Sequence, residues 1–168
     1  KESSAASDVY KRQVLSPIDS YRLIQNVKTL ALRMDRQQDN ARRIIDALHD
    51  HPAVSRIHTP GSFSTEESEI QGKQADGPGA VFSMEIVEGK DIRAFLGALR
   101  VFGFAVSLGG IESLLCLPAS MTQGAYSEED LATAEIPDHL VRVAVGIEDP
   151  EDLVSDLIGA LDLSLIHI

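Results

Sequence analysis

Tryptophan is absent from this 168-residue chain, aromatic residues make up only 5% of it, and there is a single cysteine. The lone Cys116 forbids an internal disulfide and suits a reducing compartment. Basic residues are also scarce: 15 Lys and Arg stand against 26 Asp and Glu, for a net charge of −11. A nucleic-acid partner needs a basic stripe to neutralise phosphates, and this surface would repel one. The deficit is uneven. Residues 1–58 carry ten basic and seven acidic side chains, whereas residues 59–168 carry five and nineteen. No apolar run approaches the roughly 18 residues of a membrane-spanning helix, and the polar first 13 residues lack the form of a signal peptide. No membrane partner is therefore expected. The histidines, His49, His51, His58, His139 and His167, have no Cys or paired carboxylate at ligand spacing, so no metal site is expected. Gly77-Pro78-Gly79 lacks the layout of a phosphate-binding loop. No internal repeat is visible.

What is present reads as an acidic α/β protein, expected to be soluble and cytoplasmic. Apolar residues at 43% suffice for a packed core and exclude global disorder. Ser16-Pro17-Ile18-Asp19 has an N-cap, a proline at the first helical position and an acid in the first turn. Ile18, Tyr21, Ile24, Val27, Leu30 and Met34 then recur every three or four residues, predicting one buried face. A second helical stretch carries Met34, Ile44, Ile45 and Leu48 and stops before His51-Pro52. Val54–His58 is predicted as a strand, and Pro60–Gly79, without periodicity, as a long loop. Strands follow at Ala80–Val87, Phe102–Val106, Ile111–Leu117 and Leu140–Val145. Helices are predicted at Asp91–Leu99, after the cap Ser127, and from Asp149 to about Leu161. This order implies a mostly antiparallel sheet with helices packed on one face. Residues 1–13 and 163–168 lack caps and periodicity. They resemble translated adaptor sequence at the edges of a reading frame and are expected to be non-native tails, with the domain proper at 14–162.

Three places could carry chemistry. Cys116, in an apolar strand with no cation nearby in sequence, reads as inert core. Ser107-Leu108-Gly109-Gly110, at the carboxyl end of a strand, either faces a ligand or forms a tight strand-to-strand turn. Arg142 lies mid-strand between valines and is the only Lys or Arg after Arg100. It is either paired with Glu112 or Asp149, or free to hold a carboxylate with its rigid fork.

At these residues the chain resembles a known family. Ser107–Leu114 (SLGGIESL), Leu117–Thr122 (LPASMT) and Leu140–Asp149 (LVRVAVGIED) are similar to the carboxyl-terminal domain of the Cys/Met-metabolism pyridoxal-phosphate enzymes. These comprise cystathionine γ-synthases, cystathionine lyases, methionine γ-lyases and homoserine sulfhydrylases. Leu15–Ser20 (LSPIDS), Val27–Met34 (VKTLALRM), Asn40-Ala41 and His51–Val54 (HPAV) fit the same pattern in the same order. The resemblance spans Val14–Asp162. It implies the small carboxyl-terminal domain of the aspartate-aminotransferase-type fold, fold type I, in a pyridoxal-phosphate enzyme of transsulfuration. It also implies an amino-acid substrate and a homotetramer. The family's Schiff-base lysine lies in a Ser-x-Thr-Lys motif that does not occur here, so no catalytic residue is expected in this chain, its cofactor-binding residues are unknown, and alone it should be inactive. By the same resemblance, Arg142 matches the arginine that clamps the substrate α-carboxylate. Ser107 matches the serine beside the cofactor lysine, and Thr122 a threonine of the pocket. Val106 occupies a position that is acidic in several cystathionine-handling members. A valine there resembles the methionine γ-lyases and inclines the reading towards a carbon–sulfur lyase acting on cystathionine or methionine. The alternatives are γ-replacement, by a cystathionine γ-synthase or homoserine sulfhydrylase, and a non-catalytic ligand-binding module. Gln25-Asn26 departs from the family's usual Arg-Gly, which bears on a packing contact rather than on the site.

Overall fold

A computed structural model describes residues 15–60 and 64–166. The chain divides between Leu32 and Arg33 into two compact units. The first contains helix α1 (Pro17–Val27), started as the sequence predicts. The Ser16 hydroxyl accepts the Asp19 amide at 3.1 Å, and Pro17 sits in the first turn. The predicted buried face is a different matter. No residue of α1 is buried, and Ile18, Tyr21, Ile24, Val27 and Leu30 are all exposed. Periodicity identifies the face that a partner would cover, but it does not supply the partner.

Helix α2 (Leu30–Leu48) buries Gln37, Asn40, Ala41, Ile44 and Leu48. Strand β1 (Val54–His58) lies where predicted. The long loop expected next contains a helix, α3 (Thr65–Gln74). Ser64 caps it by accepting the Glu67 amide at 3.1 Å, with Glu66 and Glu67 in the first turn and Lys73 in the last. Local capping and charge specify this helix, and it buries nothing, so periodicity had no apolar face to find. Strand β2 (Val81–Ile86) alternates in burial along its length. Helix α4 (Ile92–Ala98) starts at Asp91, whose carboxylate accepts the amides of Arg93 and Ala94.

Strands β3 (Gly103–Phe104) and β4 (Leu114–Cys116) are shorter than predicted, because residues 105–113 are given over mostly to a loop. Helix α5 (Glu128–Thr133) begins with a full capping box between Ser127 and Asp130. The Ser127 hydroxyl and amide donate to the Asp130 carboxyl and hold its pKa below the ordinary aspartate range. Strand β5 (Leu140–Ala144) precedes α6 (Pro150–Ile166). That last helix continues past Leu161 into residues expected to be tail. Lys1–Gln13, His167 and Ile168 lie outside the described residues.

The strands form one sheet in the order β1-β2-β5-β4-β3, antiparallel except for the β3–β4 pair. Phe82 and Met84 of β2 stand beside Val143 and Val141 of β5, and Leu115 of β4 beside Val143. These side chains join Ile44 and Leu48 of α2, Phe95 of α4, and Leu153, Leu157 and Leu161 of α6 in one core. Each fully buried large side chain contributes roughly 1.5–3 kcal/mol. The fold is thus a mostly antiparallel sheet with helices against one face. Asp156 of α6 ties the chain entering β3 to this layer, accepting the amides of Arg100, Val101 and Phe102 at 2.9–3.1 Å.

Candidate functional site

Because side chains alternate along a strand, the register that turns Phe82, Val143 and Leu115 into the core turns a different row to the other face. His58 pairs with Ser83, Ser83 with Arg142, and Arg142 with Cys116, across four adjacent strands. Arg142 stands in the middle of that row. Its Nη2 donates to the Ser107 carbonyl at 3.2 Å, and no carboxylate of the described residues lies within ion-pair distance of it. The two acids that could have neutralised it are placed otherwise. Asp149 accepts the Glu151 amide at 2.9 Å and starts α6, and Glu112 is exposed without reaching the guanidinium. A guanidinium has five N–H donors in a fixed fork. Among the described residues, only the bond to Ser107 occupies them. The arrangement can accept an anion with two oxygens.

Ser107 begins the loop that turns at Gly109, where a φ of +78° favours glycine. The tight strand-to-strand turn is not what forms: residues 105–113 make a nine-residue loop between two parallel strands, β3 and β4, and the Ser107 carbonyl within it accepts from the Arg142 guanidinium. Val106, one residue earlier, is exposed. Thr122 lies in the turns after β4, its hydroxyl close to the Pro118 carbonyl and to Gln123. The structure thus joins Arg142 to Ser107 directly, places Val106 next to Ser107 in the chain, and gives Thr122 no hydrogen bond to either.

Cys116 needs a correction. A cation does stand next to it: Arg142 is its cross-strand partner. Burial pushes the thiol above its ordinary pKa, and the Arg142 charge draws it down by less. The thiol is buried, as expected, but on the face opposite the main core and beside a charge that the sequence order did not reveal. On the same face His58 lies 2.7 Å from Glu85. No group of three or more His, Cys, Asp or Glu among the described residues is placed to hold a metal ion, and no described helix is long and apolar enough to cross a membrane.

Behind the loop is a polar seam whose roles sequence reading did not assign. Gln37 donates to the Gly110 carbonyl at 2.5 Å, and Asn40 to the carbonyls of Gly146 and Glu148 at 3.1 and 3.0 Å. The Glu148 carboxylate accepts the Ser113 amide at 2.6 Å and the Ser113 hydroxyl at 2.8 Å. At Gly146 a Cβ would fall 2.2 Å from the Ile111 carbonyl oxygen, so only glycine lets these two segments touch. One signal was available. Gln37 and Asn40 occupy the buried face of α2 with Ala41, Ile44 and Leu48, and a polar side chain on an apolar helix face has backbone to satisfy.

A mostly antiparallel sheet with helices on one face and an unpaired arginine on the other defines a class. Residues 5–162 match the Cys/Met metabolism pyridoxal-phosphate-dependent enzymes, and the chain belongs to that family. It is 42% identical over 149 residues to the cystathionine gamma-lyase of Bacillus subtilis, covering 89% of this chain and 39% of that protein. It is 44% identical to an L-methionine gamma-lyase of Pseudomonas deceptionensis, over 88% of this chain and 37% of the relative. Among solved structures, the cystathionine gamma-lyase of Lactobacillus plantarum complexed with L-serine superposes with a TM-score of 0.83 at 38% identity, over 90% of this chain and 40% of that one. The cystathionine gamma synthase of Xanthomonas oryzae pv. oryzae in complex with cystathionine gives the same score and identity, over 91% and 40%. The chain therefore spans about two-fifths of the length of these relatives, and the superposition establishes the fold as part of fold type I.

Pyridoxal phosphate is the cofactor of this family. The residues present here offer an anion site and no cofactor lysine motif. The free donors at Arg142 suit a two-oxygen anion, and none of the five lysines lies in a Ser-x-Thr-Lys motif. No residue of this chain is assigned to the cofactor.

Proposed function

We propose that this chain is the substrate-orienting, carboxyl-terminal part of a carbon–sulfur lyase that acts on cystathionine or methionine. The observation that carries this reading is the Arg142 guanidinium: mid-sheet, bonded only to the Ser107 carbonyl, and without a carboxylate partner among the described residues. When bound, pyridoxal phosphate supplies the electron sink for bond breaking at the substrate α-carbon. The part played by this chain is geometric. Arg142 holds the two carboxylate oxygens as a fork, which fixes the rotation about the bond from the carboxyl carbon to Cα and so aims the Cα–H. The Ser107 carbonyl holds the guanidinium from the other side. By the family resemblance, Thr122 would border the same pocket and Val106 would meet the far end of the substrate, where an apolar side chain cannot pair with a distal ammonium. The names of the Bacillus subtilis and Pseudomonas deceptionensis relatives support a lyase over γ-replacement. A cytoplasmic homotetramer is the assembly that this reading carries with it.

The test uses the full-length protein that carries this chain, assayed on cystathionine, methionine and an O-acylhomoserine with cysteine. Lyase activity on the first two is expected to exceed γ-replacement. Arg142→Ala is expected to lower kcat/KM by tenfold to a few hundredfold, since a hydrogen bond to a charged group is worth roughly 1.5–3 kcal/mol. Arg142→Lys should recover little of this loss. Wild-type kcat/KM in Arg142→Ala would overturn the assignment, and γ-replacement exceeding elimination would turn the reading to a synthase.

A further inference from the structure

The Arg142 clamp is held at one point, the Ser107 carbonyl, and that carbonyl belongs to a loop containing two glycines. Such a loop has many backbone conformations open to it unless something fixes both its ends. One end leaves β3. The other is fastened to the chain that emerges from β5, four to six residues beyond Arg142 itself. There Glu148 accepts both the amide and the hydroxyl of Ser113, while the Gly146 amide donates to the same hydroxyl at 2.8 Å and the Ile147 amide to the Ile111 carbonyl at 2.9 Å. Glu148 is itself fixed from behind, its carbonyl accepting from Asn40 at 3.0 Å and from Arg36 at 3.2 Å. A ring of contacts is thus closed: Arg142 to Ser107, along the loop to Ser113, across to Glu148, and back through Gly146 to β5.

We infer that Glu148 is the positioning residue for the substrate carboxylate clamp, setting the Arg142 fork by fixing the loop whose carbonyl holds it. This rests on the reading of Arg142 given above. Glu148 touches neither substrate nor cofactor. A carboxylate suits the task because it offers two acceptors side by side, one for the Ser113 amide and one for its hydroxyl. An amide side chain in the same place keeps one acceptor and turns a donor towards the other.

Two measurements test it. In the 168-residue chain, Glu148→Ala should speed hydrogen exchange at the Ser113 and Ile147 amides by tenfold or more and leave the β2–β5 ladder amides unchanged. Unchanged protection at Ser113 and Ile147 would overturn the latch. In the full-length enzyme, Glu148→Ala should raise KM for the amino-acid substrate about five- to thirtyfold with kcat changed less than threefold. Glu148→Gln should recover part of that rise. On an Arg142→Ala background, Glu148→Ala should add nothing to KM, because Glu148 acts only through Arg142. A merely structural residue would lower Tm and the folded fraction at unchanged KM, and that result would overturn the proposal. So would full additivity in the double variant. If Glu148→Ala does not fold, Ser113→Ala, which removes one of the two bonds, should still raise KM two- to fivefold, and an unchanged KM would count against the latch. If Arg142→Ala has wild-type kcat/KM, the clamp itself is misassigned and the positioning role falls with it. If Arg142→Ala is impaired and Glu148→Ala keeps wild-type KM, only the positioning role fails.

Discussion

Cys116 and Arg142 face each other from adjacent strands, and they pull the thiol in opposite directions. Burial wins, so the folded thiol holds its proton more tightly than an exposed one. A folded-state pKa raised in this way favours the fold fully below the thiol's unfolded pKa, and that contribution is lost as pH rises through the folded value. Removing the opposing charge should widen the gap. In Arg142→Met the thiolate ultraviolet absorbance is expected to appear at a higher pH than in the parent chain, and a midpoint that stays put or falls would show that the two side chains do not interact. The sequence made one half of this pair visible. Arg142 drew notice because it interrupts a run of valines in a segment otherwise without Lys or Arg. Its effect on Cys116, 26 positions away, depends on the register between β4 and β5, which no local pattern states. The Glu148–Ser113 contact was hidden for the same reason. Both residues were visible within motifs, and only the fold shows that they touch.

Elements announced by caps and by apolar spacing were legible at their starts, α1, α5 and α6, and along the whole of β1, whereas the break between Val27 and Leu30 was not. Those that failed did so in two ways. Helix α3 has a good cap but no apolar face, so a search for periodicity passes over it. Strands β3 and β4 have suitable apolar sequence, yet most of the residues between them serve the loop at Ser107–Ser113, because that loop bonds to α2 and to the residues after β5. Helix α1 separates pattern from burial most clearly. Its apolar stripe is exposed in this chain, whereas Ile44 of α2 is 1% exposed within the core. Ile24→Ser should therefore change the unfolding free energy of this chain by no more than about 0.5 kcal/mol, while Ile44→Ala should cost about 2–5 kcal/mol. Urea unfolding of both variants checks this. A loss at Ile24 comparable to that at Ile44 would mean that the stripe is covered in solution.

For the molecule as a whole, family and fold follow from the match over residues 5–162, and the proposed share of this chain in a reaction rests on what the chain contains. It has an arginine with free donors on the sheet face opposite the core and no Ser-x-Thr-Lys motif. Incubated with pyridoxal phosphate and then with borohydride, the 168-residue chain should yield no stoichiometric, site-specific pyridoxyl-lysine; such a product, located by peptide mass spectrometry, would contradict this division of labour. The seam at Gly146 bears on how such a domain can diverge. With the Ile111 carbonyl where a Cβ would stand, and Glu148 fastened to Ser113, residues 107–113 and 140–148 form one unit of inheritance although 26 residues separate them. A recombination joint placed between them would pair a loop from one parent with a seat from another. Joints placed outside Ser107 and Glu148 should then preserve the fold better than joints between them, with the intervening turns and helix α5 carried along as passengers.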